Sequence, residues 1–254
     1  MNTQFHDLID AIGEPQIAAF FSQDGPLAQR DSQYMVRAGQ VTMAQAVAKA
    51  IAAGSSLVVE AGTGVGKTWA YLVPLLLSGK RVLISTATKT LQDQLFGKDL
   101  PTVSQLVGRP LRSALLKGRS SYLCLHRLSQ AWQRIPPTDR YLAGQLRLVE
   151  EWATGTSTGD LGEAHGLDER SEVLPFITST RDNCLGQGCP RLNDCHVYAA
   201  RRAAMGADVV VVNTKVRPPN RMAHGQIFPA NATGWLAAAG MGKSAGTKAA
   251  ACCP

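Results

Sequence analysis

Features that would assign a chain to a membrane or to an export pathway are missing from this sequence. No run of apolar residues approaches the roughly 18 that are needed to cross a bilayer. The N-terminus, MNTQFHDLIDAIGEP, carries acidic residues and lacks the basic-then-apolar order of a signal peptide. We therefore expect a cytoplasmic protein with no membrane partner. In that compartment the six cysteines indicate metal or cluster ligands before disulfides.

Acidic residues are missing from two stretches of the chain. Residues 1–213 hold 21 Lys+Arg and 19 Asp+Glu, whereas residues 214–254 hold five basic residues and no acid. The net charge of +7 is therefore weak evidence for a nucleic-acid partner. No acid lies between Asp99 and Asp139, and this stretch is either a nucleic-acid-binding surface or a solvated basic face. Its basic residues are Arg109, Arg112, Lys117, Arg119, Arg127 and Arg134.

A glycine-rich segment carries the clearest chemical signal. Residues 57–59 predict a short buried strand, and residues 67–77 have apolar side chains at the spacing of a helix. Between them, Gly62, Gly64 and Gly66 allow successive backbone N–H groups to point at phosphate oxygens, next to the positive end of the helix dipole. The segment therefore predicts a phosphate-binding loop.

The residues after these glycines predict a nucleoside triphosphate site with Mg²⁺. Lys67 would reach the β- and γ-phosphates, and the Thr68 hydroxyl would hold the ion. The pattern departs from strict GxxxxGK[ST] at its first position, where Ala61 replaces glycine. The nucleotide-binding segment predicted here is Gly62, Thr63, Gly64, Val65, Gly66, Lys67 and Thr68.

Two polar residues upstream are further candidates for the nucleotide site. Arg37 and Gln40 lie just ahead of a helix predicted to start near Thr42. A glutamine amide both donates and accepts hydrogen bonds at one edge, so Gln40 could read adenine. A glutamine on the protein surface is the alternative.

Further apolar runs predict an α/β fold. Residues 80–86, 111–116 and 208–213 each read as a buried strand, and Thr88 and Thr90 could cap the helix that follows the first of these or bind a phosphate backbone. Strands that alternate with helices predict a parallel sheet with helices on both faces. Such sheets bind ligands at the carboxyl ends of their strands.

Four cysteines lie between the third and fourth predicted strands. Cys124 precedes a predicted helical stretch over residues 127–152, and Cys184, Cys189 and Cys195 follow a polar, glycine-rich piece. Their spacing is C-x59-C-x4-C-x5-C. Four thiolates can hold a [4Fe–4S] cluster or a structural zinc ion, and buried free cysteines are the alternative.

Six segments taken together resemble one family. They are RAGQVTM, EAGTGVGKT, STATKTLQDQL, KGRSSYLC, CLGQGCPRLNDC and ARRAAMGADVVVVN, in this order over roughly residues 5–213. The set is similar to the XPD/DinG-like superfamily 2 DNA helicases, and to their bacterial YoaA branch in particular. A small P-loop kinase or another NTPase would leave the four cysteines and STATKTLQDQL unexplained.

The resemblance implies a fold, cofactors and partners. The fold is a RecA-like P-loop domain interrupted by a mainly helical iron–sulfur insertion, and the activity is ATP-dependent DNA unwinding. Arg37 and Gln40 match the adenine-sensing Q motif, and residues 86–94 match motif Ia, which touches the DNA backbone. The implied cofactors are ATP, Mg²⁺ and a [4Fe–4S] cluster, and the implied partners are single-stranded or forked DNA with replication and repair proteins. The implied cluster ligands are Cys124, Cys184, Cys189 and Cys195.

The implied insertion borders the pore through which single-stranded DNA is threaded. The acid-free stretch then gains a role, because its Lys and Arg side chains would neutralise phosphates. Tyr122 could stack on a base.

The resemblance ends near residue 213. Thr214 stands where the family has histidine, and no DEAH or DEAD string follows. We therefore predict an N-terminal helicase fragment that is truncated or frameshifted and has little activity by itself. The alternative is a non-catalytic nucleotide- and DNA-binding module with structural zinc. The predicted division is helicase domain 1 over residues 1–117, the cluster insertion over 118–202, a return strand over 203–213 and a disordered tail over 214–254.

Overall fold

The computed structural model describes residues 13–213, 235–240 and 249–251. They fall into two compact units, one drawn from residues 13–115, 206–213, 235–240 and 249–251 and one from residues 116–205. No helix in the described ranges is long and apolar enough to cross a membrane.

The first unit is built on a parallel sheet flanked by helices. Its helices are α1 (Glu14–Phe20), α2 (Pro26–Arg30), α3 (Ala38–Ala53), α4 (Lys67–Leu77), α5 (Lys89–Gln94) and α6 (Leu100–Val107), with a π-helical turn at Leu95–Asp99 between the last two. Its strands are β1 (Leu57–Val59), β2 (Arg81–Thr86), β3 (Ser113–Leu116), β4 (Val209–Asn213), β5 (Trp235–Gly240) and β6 (Ala249–Ala251).

The main sheet has the order β3-β4-β2-β5. Strand β2 pairs in parallel with β4, Leu83 opposite Val210, and with β5, Leu83 opposite Ala237. Buried side chains of α3, α4, β2 and β4 form a single core around these strands. The predicted α/β fold with a parallel sheet flanked by helices is therefore confirmed, and it is consistent with a RecA-like domain.

Strand β1 differs from the expectation of a buried strand. It pairs antiparallel with β6, Val58 opposite Ala250, in a separate two-stranded sheet. Leu57 and Val59 pack against the core, but Val58 is 67% exposed. Successive side chains of a strand point to opposite faces, so a three-residue strand with one covered face leaves its middle residue in solvent.

Two of these strands lie in the segment predicted to be a disordered tail. The backbone of β5 extends the main sheet beside β2, and β6 pairs with β1. At these positions the structure has strands where none is predicted. Residues 214–234, 241–248 and 252–254 lie outside the described ranges, so for them the tail remains a prediction.

The second unit contains the four widely spaced cysteines. Its helices are α7 (Leu125–Ala131), α8 (Arg140–Ala153), α9 (Leu174–Ile177) and α10 (His196–Gly206). A core of its own contains Leu123, Leu146, Val149 and Ile177. The single helical stretch predicted over residues 127–152 is wrong, because Pro136 and Pro137 follow one another between α7 and α8 and interrupt the helix.

A buried ion pair joins two segments of the second unit that are distant in sequence. The Lys117 Nζ lies 2.6 Å from Asp160 Oδ2, and the two side chains are only 10% and 9% exposed. Asp160 also accepts a hydrogen bond from the Gly162 N–H at 3.0 Å, which caps the 3₁₀ turn at Leu161–Glu163. One carboxylate therefore holds both a distant lysine and a local turn.

Candidate functional site

The phosphate loop lies between β1 and α4, as the glycine pattern predicts. Gly64 and Gly66 both have a φ of +82°, a left-handed conformation that favours glycine. The Gly66 carbonyl accepts from the Trp69 and Ala70 N–H groups at 3.1 Å, which starts α4 at Lys67. The loop therefore leads directly into the positive end of an 11-residue helix.

Lys67 is folded back on its own loop. Its Nζ donates to the Gly62 carbonyl at 2.6 Å and to the Ala61 carbonyl at 3.0 Å. These carbonyls solvate the ammonium group inside the loop, where phosphate oxygens would be stronger partners. The Lys67 ammonium group thus lies against the loop that the sequence predicts to bind phosphate.

Arg37 and Gln40 contact the phosphate loop. The Arg37 guanidinium donates to the Gly64 carbonyl at 2.9 Å, and the Gln40 Nε2 donates to the Gly66 carbonyl at 3.0 Å. Gln40 is buried, so the alternative of a surface glutamine is wrong. A Cβ on Gly66 would collide with the Gln40 amide, which gives Gly66 a second reason to be glycine.

A cavity of about 410 Å³ adjoins the loop at Gly66. Tyr34, Gln40 and Trp69 line it, and the Tyr34 hydroxyl donates to Gln40 Oε1 at 3.4 Å. Two aromatic side chains beside an amide suit a flat, polar-edged ligand. Sequence reasoning missed Tyr34 and Trp69, although an aromatic residue directly after GKT was a visible signal.

Asp99, at the end of the π-helical turn, also lines this cavity. Burial raises the pKa of its carboxyl, and the Gln94 amide, which donates to Oδ2 at 3.3 Å, and the charge of Lys98 oppose that rise. Burial, followed by the charge of Asp99, raises the pKa of Tyr71, while the Thr68 hydroxyl beside that phenol lowers it. A buried carboxyl and a buried phenol therefore lie close enough that the charge of Asp99 raises the pKa of Tyr71.

The segment at residues 86–94 divides into buried and exposed positions. Thr86 is buried and donates to the Val212 carbonyl at 3.3 Å, and Gln92 is buried with its Nε2 donating to the Val211 carbonyl at 3.3 Å. Thr88 is exposed, and its hydroxyl accepts from the Leu91 N–H at 3.2 Å, which confirms the predicted cap. The exposed residues 88–90 follow β2 at its carboxyl end.

The four predicted cluster ligands lie in one unit, as free thiols. Burial raises the pKa of Cys124, and the nearby Cys195 and Cys189 raise it further by their charge, against backbone N–H groups that lower it. Arg119 donates to Cys184 Sγ at 2.9 Å. The geometry thus brings Cys124 within electrostatic reach of two cysteines that are distant in sequence.

The donor set fits a thiolate-bound group. Four cysteines supply the thiolates that a [4Fe–4S] cluster requires, and the Arg119 guanidinium hydrogen-bonds to one of these sulfurs. Within the described residues, no three Cys, His, Asp or Glu side chains are grouped closely enough to hold a single metal ion. The fit of these four cysteines to a cluster therefore rests on their thiolate chemistry and on the Arg119 charge beside Cys184.

Comparisons with known proteins show which proteins the chain is similar to. Residues 42–128 match the DEAD/DEAH box helicase family model. The chain is 48% identical over 200 residues to the ATP-dependent DNA helicase YoaA of Haemophilus influenzae and 48% identical over 193 residues to that of Escherichia coli. It is 35% identical over 216 residues to the ATP-dependent helicase DinG of Mycobacterium tuberculosis. The chain belongs to the XPD/DinG-like helicases. The matches cover 79%, 76% and 76% of this chain but only 31%, 30% and 32% of the three relatives.

The basic side chains between Asp99 and Asp139 have intramolecular partners. Arg109 donates to the carbonyls of Leu76 and Gly79, and Arg127 donates to the Pro175 carbonyl. Arg112 pairs with Asp208, and Lys117 pairs with Asp160. Arg119 donates to Cys184, and Arg134 donates to Gln130. Arg112 lowers the pKa of Asp208 by hydrogen bonding and charge. These contacts favour an architectural role for the stretch over a continuous phosphate-binding surface.

The prediction that Tyr122 stacks on a base is wrong in this structure. The ring is 4% exposed, and its hydroxyl accepts from the Lys117 N–H at 3.0 Å. An aromatic ring can serve as a stacking platform only where one face is open to a base. Tyr122 is therefore part of the interior of the second unit.

Proposed function

We propose that this chain is the ATP- and DNA-binding part of an ATP-dependent DNA helicase, with single-stranded or forked DNA as its partner. The single observation that supports it most is the phosphate loop, with Lys67 held at its centre and Arg37 and Gln40 bound to its carbonyls. Backbone N–H groups of residues 62–66 and the α4 terminus would bind the phosphates.

Each side chain of the site has a role in this proposal. Lys67 would leave the loop carbonyls to neutralise the β- and γ-phosphates, and the Thr68 hydroxyl would hold Mg²⁺. The base would enter the cavity between Tyr34 and Trp69, where the Gln40 amide reads its edge. Because Gln40 also binds Gly66, base recognition and loop shape are coupled through one side chain.

Titration calorimetry with ATP and Mg²⁺ tests the nucleotide site. Lys67→Ala should weaken binding by roughly tenfold or more, because hydrogen bonds to charged groups contribute about 1.5–3 kcal/mol. Lys49→Ala is the matched control, since Lys49 lies on the surface of the same unit in an exposed ion pair with Glu14. Equal ATP affinity in the Lys67→Ala and unsubstituted chains would refute the proposal.

We further propose that Cys124, Cys184, Cys189 and Cys195 hold a [4Fe–4S] cluster. The donor set and the Arg119 contact to Cys184 support it. Anaerobically purified chain should contain iron and acid-labile sulfide in equal amounts, and Cys189→Ser should lose both. Stoichiometric zinc without sulfide would favour the structural zinc module instead. Cys252→Ser is the control at a cysteine outside the proposed set.

The 254-residue chain should hydrolyse ATP slowly. Hydrolysis in this class needs a second-motif carboxylate that holds Mg²⁺ and orients water, and the sequence contains no DEAH or DEAD string. We therefore infer nucleotide binding with little turnover in this polypeptide by itself. Phosphate release measured with and without single-stranded DNA checks this inference, and strong DNA-stimulated turnover would contradict it.

A further inference from the structure

The segment that ends at Cys124 is held by hydrogen bonds to two distant parts of the chain. A stretch of 59 residues separates Cys124 from Cys184, so the fold has to bring this thiol to the other three. The Leu123 N–H donates to the Gly159 carbonyl at 2.8 Å. The Cys124 N–H donates to the Ile177 carbonyl, also at 2.8 Å. Successive N–H groups of an extended chain point to opposite sides, so this segment is bonded along both of its edges.

Gly159 also touches the segment that contains the last of the four cysteines. It has a φ of +62°, and a Cβ at this position would collide with the His196 imidazole at Cγ, the ring atom nearest the backbone. Cγ moves only when the χ1 angle of the histidine changes, so the far end of the side chain cannot relieve the collision. His196 directly follows Cys195 and begins α10. One glycine therefore contacts the neighbours of two cysteines that are distant in sequence.

The turn that carries Gly159 is fixed by polar contacts of its own. The Gly159 N–H donates to Thr156 Oγ1 at 3.0 Å, and the Asp160 N–H donates to Thr158 Oγ1 at 3.2 Å. The Asp160 carboxylate forms the buried ion pair with Lys117. These bonds limit the motion of the turn, so the Gly159 carbonyl is held in one place.

We propose that Gly159 is the positioning residue that brings Cys124 to Cys195. Its carbonyl fixes the segment that ends at Cys124, and its lack of a side chain admits the His196 ring beside Cys195. A larger residue at this position would push the start of α10, and Cys195 with it, away from Cys124. The inference rests on the proposed cluster and adds a residue outside the four ligands on which assembly of the site depends.

Thiol cross-linking of the metal-free chain tests this role without a cluster. In the full chain with the other four cysteines replaced by serine, dibromobimane, which becomes fluorescent when both of its ends alkylate neighbouring thiols, should join Cys124 to Cys195. Gly159→Ala should lower the fluorescent yield by roughly fivefold or more, because overpacking a close contact separates the two segments. Gly166→Ala is the matched control and should leave the yield unchanged. Gly166 lies in the same unit with a φ of +84°, and its Cβ would meet only the flexible end of the Leu148 side chain.

A double variant shows whether the effect of Gly159→Ala passes through the imidazole ring. In a His196→Ala background the collision is gone, so Gly159→Ala should change the cross-linking yield by less than about twofold. Strain of the left-handed backbone alone would lower the yield equally in both backgrounds and would refute the role of His196. Because this comparison uses only variants that lack the collision, it remains decisive if Gly159→Ala by itself does not fold.

The cluster provides a second readout in the chain with all six cysteines. After anaerobic purification, Gly159→Ala should contain less iron and acid-labile sulfide than Gly166→Ala and should show a weaker visible absorption of the cluster. Circular dichroism of both variants confirms that they are compared as folded proteins.

The outcomes separate this inference from the cluster proposal. If the unsubstituted chain holds iron and sulfide and Gly159→Ala cross-links like Gly166→Ala, the inference is refuted and the cluster proposal stands. If Gly159→Ala lowers the cross-linking yield but the unsubstituted chain holds neither iron nor sulfide, the cluster proposal fails and the positioning of the two thiols stands. A complete lack of cross-linking between Cys124 and Cys195 in the unsubstituted background would also refute the inference.

Discussion

The buried ion pair between Lys117 and Asp160 predicts a large and specific loss of stability. Lys117→Met removes one charge and leaves the Asp160 carboxylate in a site where both side chains are about one-tenth exposed. Breaking a buried pair from one side costs about 3–5 kcal/mol, since the remaining charge is neither solvated nor paired. Asp160 retains its bond from the Gly162 N–H, which places the expected cost near the lower end, at about 3 kcal/mol.

Removing the Asp160 charge as well tests whether the loss of stability comes from an unpaired buried carboxylate. In the double variant Lys117→Met with Asp160→Leu neither charge remains, so the unfolding free energy should recover a large part of the loss. The expected coupling between the two positions is about 1–3 kcal/mol. Asp160→Asn keeps a side-chain acceptor for the Gly162 N–H and isolates the ionic contribution.

Urea unfolding followed by circular dichroism measures these differences. The control is Lys49→Met, which breaks the Lys49–Glu14 pair at 2.7 Å, an almost equal distance, but with side chains that are 67% and 48% exposed. Exposed pairs contribute about 1 kcal/mol or less. If Lys117→Met cost no more than Lys49→Met, burial would not be what makes this pair important and the reasoning would be refuted.

Two more predictions concern the nucleotide site. Gly66→Ala should lower ATP affinity in calorimetry, because the new Cβ strains a left-handed residue and displaces the Gln40 amide, whereas Gly97→Ala, which meets open space, should not. Asp99→Asn should stabilise the chain in urea at pH 7. Burial raises the pKa of Asp99 above its ordinary 3.8, so folding favours the protonated carboxyl. The free energy of unfolding therefore falls as the pH rises from 3.8 through the higher pKa of the folded state. The extra stability of Asp99→Asn should disappear below about pH 4, and a gain that persisted there would contradict this explanation.

Local chemistry made several elements predictable from the sequence. The α4 helix runs over Lys67–Leu77 as predicted, and β2 and β4 each begin one residue later than predicted. Apolar periodicity and the GKT signal depend on residues that are neighbours in the chain. The positive φ of Gly64 and Gly66 follows from the same local pattern.

Residue type alone was a poorer predictor of which side chains contact one another in the fold. Tyr122 and Tyr198 belong to the same residue type and both lie near cysteines in the sequence, yet one is buried against Lys117 and the other is exposed beside Arg202. The arginines between Asp99 and Asp139 suggested a DNA surface by composition, but most of their partners come from distant segments, such as Asp208 for Arg112. Composition does not specify such contacts.

The sequence by itself determined the phosphate loop, the strand–helix alternation and the family, because each is encoded by residues close together in the chain. Only the tertiary structure decided that Gln40 is buried against Gly66 and that β1 pairs with β6 outside the main sheet. The physical reason is that burial and charge pairing depend on which side chains the fold brings together, and those lie tens of residues apart in sequence.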